Sequence, residues 1–141
     1  MDRLMIHLVI VSHSRQIAEG VAELARQMAP EGLAISAVGG IEEDGVLLLG
    51  TDAAQIAAVL QEKTGPDGAL LLVDLGSAIM SAEIALEMLE PELRARCCIS
   101  NAPLVEGAIV AAVEAGLNHS LEVVNQAAEA AAAMPKVLRD P

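Results

Sequence analysis

One histidine stands where an imidazole could act on a phosphoryl group. His13 follows an apolar segment, Leu4–Val11, and precedes Ser14. A neutral imidazole is a good nucleophile near pH 7, and an acceptor that holds the N–H of its second nitrogen fixes the tautomer. Asp74 is the only carboxylate among the residues that directly follow the predicted strands. The two residues together predict a site at which His13 is oriented by Asp74 and carries a phosphoryl group transiently.

Glycines and hydroxyl side chains follow the same predicted strands and could hold a phosphate there. The candidate phosphate-binding residues are Ser14, Gly40, Thr51, Gly76 and Ser77. Glycine lets backbone amides approach a bound group closely. Most of these residues also stand near a predicted helix N-terminus, where unpaired amides and the positive end of the helix attract anions. We therefore predict an anion-binding rim around His13.

The elements that must position these residues alternate regularly along the chain. The predicted strands are Leu4–Val11, Leu33–Val38, Ala69–Val73 and Arg96–Ser100, and a loop is predicted between Gly40 and Gly50. Continuous apolar runs that alternate with helical periodicity predict an α/β fold with an open, mainly parallel four-stranded sheet of order 2-1-3-4. Helices should cover both faces of this sheet. The carboxyl ends of its strands meet at one edge, where ligands bind.

Helical spacing of apolar residues predicts which faces of the helices enter the core. The two clearest sets are Ile17, Val21, Leu24 and Met28 in the first helix, and Met80, Ile84 and Met88 in the helix after Asp74. Ser14 is expected to cap the first helix, and Thr51 or Asp52 the second. Because the chain has no Phe, Trp or Tyr, the core should consist of Leu, Val, Ile, Ala and Met.

Length and charge exclude several classes of protein. A chain of 141 residues is expected to form one domain, 1–141. Its formal charge of −12 excludes nucleic acid and anionic membrane surfaces as partners. The longest stretch without a charged residue has eleven residues, whereas a membrane-spanning helix needs about twenty. The two adjacent cysteines, Cys97 and Cys98, can hardly bridge each other, which favours a cytoplasmic protein.

Three other functions fit the motifs less well. A receiver domain phosphorylated on Asp74 would need an acidic pair after the first strand, and VSHS provides none. A serine hydrolase that used Ser77 would need the pattern G-x-S-x-G, whereas Gly76 directly precedes Ser77. A nucleotide-binding module would show a Walker A lysine motif or G-x-G-x-x-G, and both are missing from the sequence.

Four segments carry a resemblance to a known family. They are LVIVSHSRQIAEGVAELARQM at 8–28, GTDAAQI at 50–56, VDLGSAIMSAEIALEML at 73–89 and NAPLVEGAIVAAVEAG at 101–116. The chain resembles the DhaM family, the phosphoryl-donor subunits of phosphotransferase-dependent dihydroxyacetone kinases, and more distantly the mannose-type enzyme IIA domains. Mannose-type members commonly have Gly after the active histidine and Gly-Gly after the matching aspartate. Ser14 and the segment Leu75-Gly76-Ser77 stand there instead, which favours the kinase branch.

The resemblance implies a route for the phosphoryl group. His13 would accept it from phospho-HPr on the tele nitrogen, Nε2, while Asp74 orients the ring. The group would then pass to ADP bound to the DhaL subunit, and the ATP formed would phosphorylate dihydroxyacetone on DhaK. ADP, ATP and Mg would belong to DhaL, so no cofactor or metal is expected on this subunit. The alternative is a mannose-type enzyme IIA that serves a sugar transporter.

The resemblance also implies how the chain is organised and what it meets. Members of the family are typically homodimers. Some members continue into HPr-like and enzyme I-like domains; no such extension is expected here, so the chain should depend on a separate HPr. The carboxylates of Glu19 and Glu23 are expected to guide that HPr towards the site.

Overall fold

A four-stranded parallel sheet organises the chain. The computed structural model describes residues 3–140, and the first two residues and the last residue of the expected domain lie outside this range. The strands of the described range are β1 (His7–Ser12), β2 (Ile35–Gly39), β3 (Ile41–Glu43), β4 (Val46–Leu48), β5 (Ala69–Val73) and β6 (Cys97–Ile99). β2, β1, β5 and β6 form the sheet in that order, and every neighbouring pair is parallel. The predicted α/β fold class and strand order are confirmed.

The helices follow the predicted order along the chain. They are α1 (Arg15–Met28), α2 (Ala53–Lys63), α3 (Gly76–Glu87), the short α4 (Pro91–Arg94), α5 (Leu104–Gly116) and α6 (Leu121–Ala130), and a 3₁₀ turn follows at Ala131–Ala133. Ser14 caps α1, because its Oγ accepts the N–H of Ile17. Asp52 rather than Thr51 caps α2. No helix within residues 3–140 is long and apolar enough to cross a membrane.

The sheet separates two apolar layers. Side chains of Leu8 and Ile10 face α1, α5 and α6, whereas those of Val9 and Val11 face α2 and α3. All four are completely buried. This alternation is what a strand covered on both faces requires, and it explains why β1 is a continuous apolar run. The prediction of helices on both faces is confirmed.

The predicted apolar faces of two helices were largely wrong. Of the four residues predicted to face the core from α1, only Val21 is buried, while Ile17, Leu24 and Met28 are 51%, 46% and 51% exposed. Met80 and Ile84 in α3 and Met88, which directly follows it, are 65%, 51% and 51% exposed. Alanines occupy the inward positions instead: Ala18, Ala22 and Ala25 in α1, and Ala78, Ala82 and Ala85 in α3. Their short side chains let each helix lie close to the sheet, so the longer apolar residues beside them stay in solvent.

The segment predicted as a loop after Gly40 contains a β-hairpin. β3 and β4 pair antiparallel, with Ile41 opposite Leu48. The turn between them is formed by Asp44 and Gly45, whose φ angles of 51° and 79° are both in the left-handed region. An Asp-Gly pair is a strong sequence signal for a two-residue hairpin turn. The sequence therefore contained the information that this segment is not a simple loop.

Candidate active site

His13 and Asp74 lie side by side at the carboxyl edge of the sheet. His13 directly follows β1 and Asp74 directly follows β5, its parallel neighbour. The Nδ1 atom of His13 lies 3.0 Å from Oδ1 of Asp74, and the two side chains are 23% and 15% exposed. A carboxylate accepts but does not donate, so Nδ1 carries the proton and Nε2 keeps its lone pair. The structure thus brings together the two residues that the sequence singled out.

Asp74 is held as an anion by hydrogen bonds. Burial alone would raise the pKa of this carboxyl group, but donors from Ser12, His13 and Leu75 lower it below the ordinary value. Oδ2 accepts from the Ser12 hydroxyl at 2.8 Å and from the backbone N–H of His13 at 3.0 Å. Oδ1 accepts from the Leu75 N–H at 2.8 Å and from the imidazole of His13. The carboxylate therefore orients both the ring and the backbone of His13.

Ser12 was not predicted as a site residue. Its side chain is completely buried, and its Oγ donates to Asp74 while it accepts the N–H of Ser14 at 3.0 Å. The Ser12 hydroxyl thus links the backbone N–H of Ser14 to the Asp74 carboxylate, so the residues before and after His13 are both held at this position. The signal in the sequence was a hydroxyl residue directly after the apolar run 8–11 and directly before His13.

The free imidazole nitrogen faces the N-terminus of α3. Nε2 of His13 is hydrogen-bonded to the hydroxyl of Ser77. Leu75 precedes the helix without a capping side chain, so the first amides of α3 have no side-chain acceptor. A side chain added at Gly76 would meet only open space. Unpaired amides and the helix dipole would stabilise an anion at this position.

The other predicted phosphate-binding residues already have partners within the protein. The Ser14 hydroxyl caps α1, the N–H of Gly40 donates to the Gly50 carbonyl at 2.9 Å, and Thr51 Oγ1 lies 2.6 Å from Ser81 Oγ. The N–H of Gly50 in turn donates to the carbonyl of His13 at 2.8 Å. The Gly50 N–H thus fixes the backbone at His13, and contact with a phosphate stays a prediction for Ser14, Gly40 and Thr51.

The remaining histidines have structural surroundings. His7 is 1% exposed, and its ring lies 2.9 Å from Thr64 Oγ1 and 2.8 Å from Ser36 Oγ. Burial, with a smaller effect from Lys63, lowers the pKa of His7 to about 4. His7 is thus a packed histidine of the core. His119 forms a surface pair with Glu114 at 2.6 Å.

The two cysteines lie apart from this chemistry. Burial raises the pKa of Cys97 to about 11 and raises that of Cys98, so both thiols stay protonated at neutral pH. Within the described range, no three His, Cys, Asp or Glu side chains are grouped so that they could hold a metal ion. A cavity of about 680 Å³ runs along the outer edge of β2, and His13 is not among its lining residues.

The parallel sheet presents a histidine and an aspartate at adjoining strand ends, and a helix N-terminus lies beside the unprotonated nitrogen. This arrangement defines the class of enzyme IIA-type domains. The family model described as "PTS system fructose IIA component" matches residues 7–125. A crystal structure of a protein of unknown function superposes with a TM-score of 0.78 at 36% sequence identity, covering 89% of this chain and 93% of that one. Fold and family thus agree.

Curated relatives narrow the assignment. The "PEP-dependent dihydroxyacetone kinase 2, phosphoryl donor subunit DhaM" of Listeria innocua is 42% identical and covers 86% of this chain and 95% of its own length. The DhaM of Escherichia coli K12 is 41% identical over 85% of this chain, and the aligned part is 25% of that protein. The chain therefore belongs to the enzyme IIA family of the phosphotransferase system, among its DhaM-type subunits. It spans about a quarter of the length of the Escherichia coli relative.

Proposed function

We propose that this chain is the phosphoryl carrier of a phosphoenolpyruvate-dependent dihydroxyacetone kinase. His13 accepts the phosphoryl group from phospho-HPr on Nε2 and transfers it to ADP bound to DhaL. The ATP formed then phosphorylates dihydroxyacetone bound to DhaK. The observation that carries this proposal is the 3.0 Å contact of His13 Nδ1 with Asp74, which leaves Nε2 unprotonated beside the N-terminus of α3. The names of the DhaM relatives supply the substrate and the kinase.

The transfer needs alignment and charge stabilisation more than covalent help from the protein. The lone pair of Nε2 attacks the phosphorus of the donor's phosphohistidine, and the phosphorus–nitrogen bond electrons return to the donor imidazole. His13 becomes positively charged and keeps its proton on Nδ1. The anionic Asp74 stabilises that charge. An oxygen of the terminal phosphate of ADP then attacks the same phosphorus, and His13 leaves as neutral imidazole.

The phosphoryl oxygens would lie against Ser77 and the first turn of α3. The Ser77 hydroxyl, which bonds Nε2 in the free protein, can turn to donate to a phosphoryl oxygen. The amides at Gly76 and Ser77 lie at the positive end of the helix. Stabilisation by one helix end is modest, which suits a carrier that must pass the group on. ADP, ATP and Mg stay with DhaL, so this subunit requires no cofactor of its own.

The same proposal includes a cytoplasmic homodimer. Two free cysteines, Cys97 and Cys98, are compatible with a reducing compartment.

For the dimer, support comes from a strip of exposed apolar residues on the helices of one sheet face. It consists of Ile17, Leu24 and Met28 on α1, with Val105 on α5 and Leu117 just after it. The strip carries no charge, so two copies of a chain with net charge −12 could meet there without repulsion.

The dimer can be tested by sedimentation. Leu24→Glu should convert the dimer to monomer, because it places a carboxylate in the strip of both copies. Val123→Glu, at a similarly exposed position on α6, should leave the dimer intact. A dimer that persists in Leu24→Glu, or a wild-type monomer, would remove this part of the proposal.

Labelling with the natural donors tests the carrier function. Incubated with phosphoenolpyruvate, enzyme I and HPr, the protein should gain one acid-labile phosphate on His13. His13→Ala should abolish labelling without unfolding the protein, whereas His119→Ala should label normally. Normal labelling of His13→Ala would contradict the assignment.

The alternative is a mannose-type enzyme IIA that serves a sugar transporter, which the description of the matching family favours. Addition of DhaK and DhaL separates the two functions. Formation of dihydroxyacetone phosphate in that mixture supports the kinase, whereas a phosphorylated His13 without turnover supports the transporter.

A further inference from the structure

An open groove runs along the outer edge of β2, between α1 and α2. Two cavities of about 680 and 440 Å³ share the lining residues Glu19, Ala37 and Val59, so they form one continuous space. Together they border all of β2, from Ile35 to Gly39. We call this space the β2 groove. His13 is not among its lining residues, so phosphoryl transfer does not account for it.

The free side of the β2 backbone faces this groove. β2 has one neighbour in the sheet, β1, and the Ala34 carbonyl directly before β2 accepts the Leu8 N–H. Consecutive residues of a strand turn their backbone polar groups to opposite sides. Ile35, Ala37 and Gly39 therefore turn theirs away from β1 and towards the groove, where a further strand could pair with them.

Two arginines of α1 occupy the ends of this free edge. Arg26 donates to the Ile35 carbonyl at 3.1 Å, and Arg15 donates to the Gly39 carbonyl at 3.0 Å. Within residues 3–140, no side chain or loop hydrogen-bonds to the N–H or the carbonyl of Ala37. Strand residues rise about 3.3 Å each, so the stretch between the two bound carbonyls is about 13 Å long. The arginines thus limit pairing at this edge to one short extended segment centred on Ala37.

The side chain opposite Ala37 in such a segment would face α1. Residues in register on neighbouring strands turn their side chains to the same face of a sheet, as Ile10 and Ala37 do in the layer beside α1. The residues before and after the central one would face α2, where Val59 and Ala58 line the groove. The central side chain therefore meets α1, and the two flanking side chains meet an apolar wall.

The α1 wall beside Ala37 is acidic. Glu19 and Glu23 are both exposed, and neither forms an ion pair within the described part of the chain. They are one helical turn apart, about 6 Å along the helix axis, so one cation placed opposite Ala37 can lie between the two carboxylates. Glu62 and Lys63 at the end of α2 contribute opposite charges, so Glu19 and Glu23 determine the charge that the groove prefers.

We propose that the β2 groove binds an extended segment of a partner protein in which one basic residue stands between two apolar residues. The segment adds to β2 as a further strand and hydrogen-bonds to the N–H and the carbonyl of Ala37. Its basic side chain lies between Glu19 and Glu23, and its apolar side chains pack against Val59. This surface goes beyond the carrier function and does not depend on it. A protein held here leaves His13 uncovered.

A second copy of this chain fits the groove less well than another protein does. The exposed segment Pro135-Lys136-Val137 has the same pattern of one basic residue between two apolar ones. Its Lys136, however, is paired with Glu106 at 3.3 Å, and this pair would have to separate before the segment could enter the groove of another copy. The groove is thus assigned to a different protein.

Titration with a short peptide, followed by NMR of the isotope-labelled protein, tests this assignment. The peptide acetyl-Ser-Val-Arg-Val-Ser-amide should shift the signal of the Ala37 amide in a saturable way and slow its exchange with solvent. The same peptide with Glu in place of Arg should not. N-methylation of the Arg and of the Val after it should abolish binding, because the peptide can then donate no hydrogen bond to the Ala37 carbonyl in either strand direction.

Two matched double variants separate the groove from a general attraction of charge. Glu19→Gln, Glu23→Gln should weaken the affinity for the Arg peptide by about three- to tenfold, as the loss of two exposed ion pairs predicts. Glu83→Gln, Glu87→Gln removes the same charge from exposed positions four residues apart on α3. At physiological ionic strength it should leave the affinity within about twofold of the wild type. Equal losses in the two variants would overturn the site, because the peptide would then respond only to net charge.

The remaining results also decide the matter. A titration that produces no saturable shift at Ala37 would refute strand addition to β2. Conversion of the dimer to monomer by Glu19→Gln, Glu23→Gln would assign the groove to a second copy and overturn the assignment to a partner protein. Absence of phosphate on His13 after labelling would refute the carrier function and leave the peptide result unchanged.

Discussion

At the scale of single residues, the site depends on the two oxygens of one carboxylate. Each oxygen of Asp74 accepts two hydrogen bonds, and the donors include the ring and the backbone of His13. An amide in the same place would have one oxygen and one NH₂ group. Its NH₂ group would face at least one backbone donor, whichever way the amide turned.

Asp74→Asn should therefore impair both transfer and stability. Loss of a charged hydrogen-bond partner costs about 1.5–3 kcal/mol, which corresponds to roughly a ten- to hundredfold slower phosphorylation of His13. The lowered pKa of Asp74 means that its charge stabilises the fold at neutral pH, and that this contribution is lost as the pH falls through the folded-state pKa. The stability gap between wild type and variant should thus shrink in acid. Labelling time courses and urea unfolding measure the two effects; unchanged labelling would refute the role of Asp74.

The lowered pKa of His7 predicts a loss of stability in mild acid. Its pKa is about 4 in the folded protein against an ordinary 6.5, so between these values the unfolded chain binds a proton that the folded protein does not. The free energy of unfolding should fall as the pH falls from 6.5 to 4, by up to about 3 kcal/mol from this group. His7→Gln should lack this component in urea titrations at pH 7, 5.5 and 4.5. Parallel curves for the two proteins would show that His7 is not responsible.

At the scale of elements, the strands and the site were predictable from the sequence because burial on both faces leaves a continuous apolar run. The carboxyl ends of parallel neighbours share one edge, which is why His13 and Asp74 could be brought together from sequence alone. Helical periodicity, in contrast, predicts which apolar residues share one face of a helix, but it does not predict whether that face packs against the sheet. In α3 the alanines face the sheet, and Met80 and Ile84 are exposed to solvent. The hairpin was missed because its strands have only three residues each.

The close approach of β2 to the His13 loop gives a prediction at this scale. Gly39 lies opposite Ser12, and a Cβ added there would come within 2.4 Å of the Ser12 carbonyl oxygen. Gly39→Ala should destabilise the protein by about 1–3 kcal/mol and slow the labelling of His13, because the strand end must move. Gly65→Ala, where the added atom meets nothing within 4 Å, should change stability by less than about 0.5 kcal/mol. Equal melting temperatures for the two variants would contradict this account.

At the scale of the whole molecule, the negative charge is scarcely neutralised within the fold. The chain has 20 acidic and 8 basic residues, and several guanidinium groups are bound to backbone carbonyls. Arg26 donates to the Ile35 carbonyl and Arg15 to that of Gly39. Glu19 and Glu23, which the sequence suggested as guides for HPr, line the groove along β2. The exposed carboxylates of α3 are Glu83 and Glu87.

Salt should therefore slow transfer from a protein donor but not transfer from a small donor such as phosphoramidate. Transfer from phospho-HPr with a basic face should slow by about tenfold or more between low salt and about 0.5 M, because ions screen the attraction that guides the encounter. The reaction with phosphoramidate, a small anion, should stay constant or quicken, because screening removes repulsion from a protein of charge −12. If Glu83 and Glu87 contribute most of the guidance, the variant Glu83→Gln, Glu87→Gln should flatten the salt dependence more than Glu19→Gln, Glu23→Gln does. The reverse order would assign the guidance to α1, and a transfer rate indifferent to salt would exclude electrostatic guidance altogether.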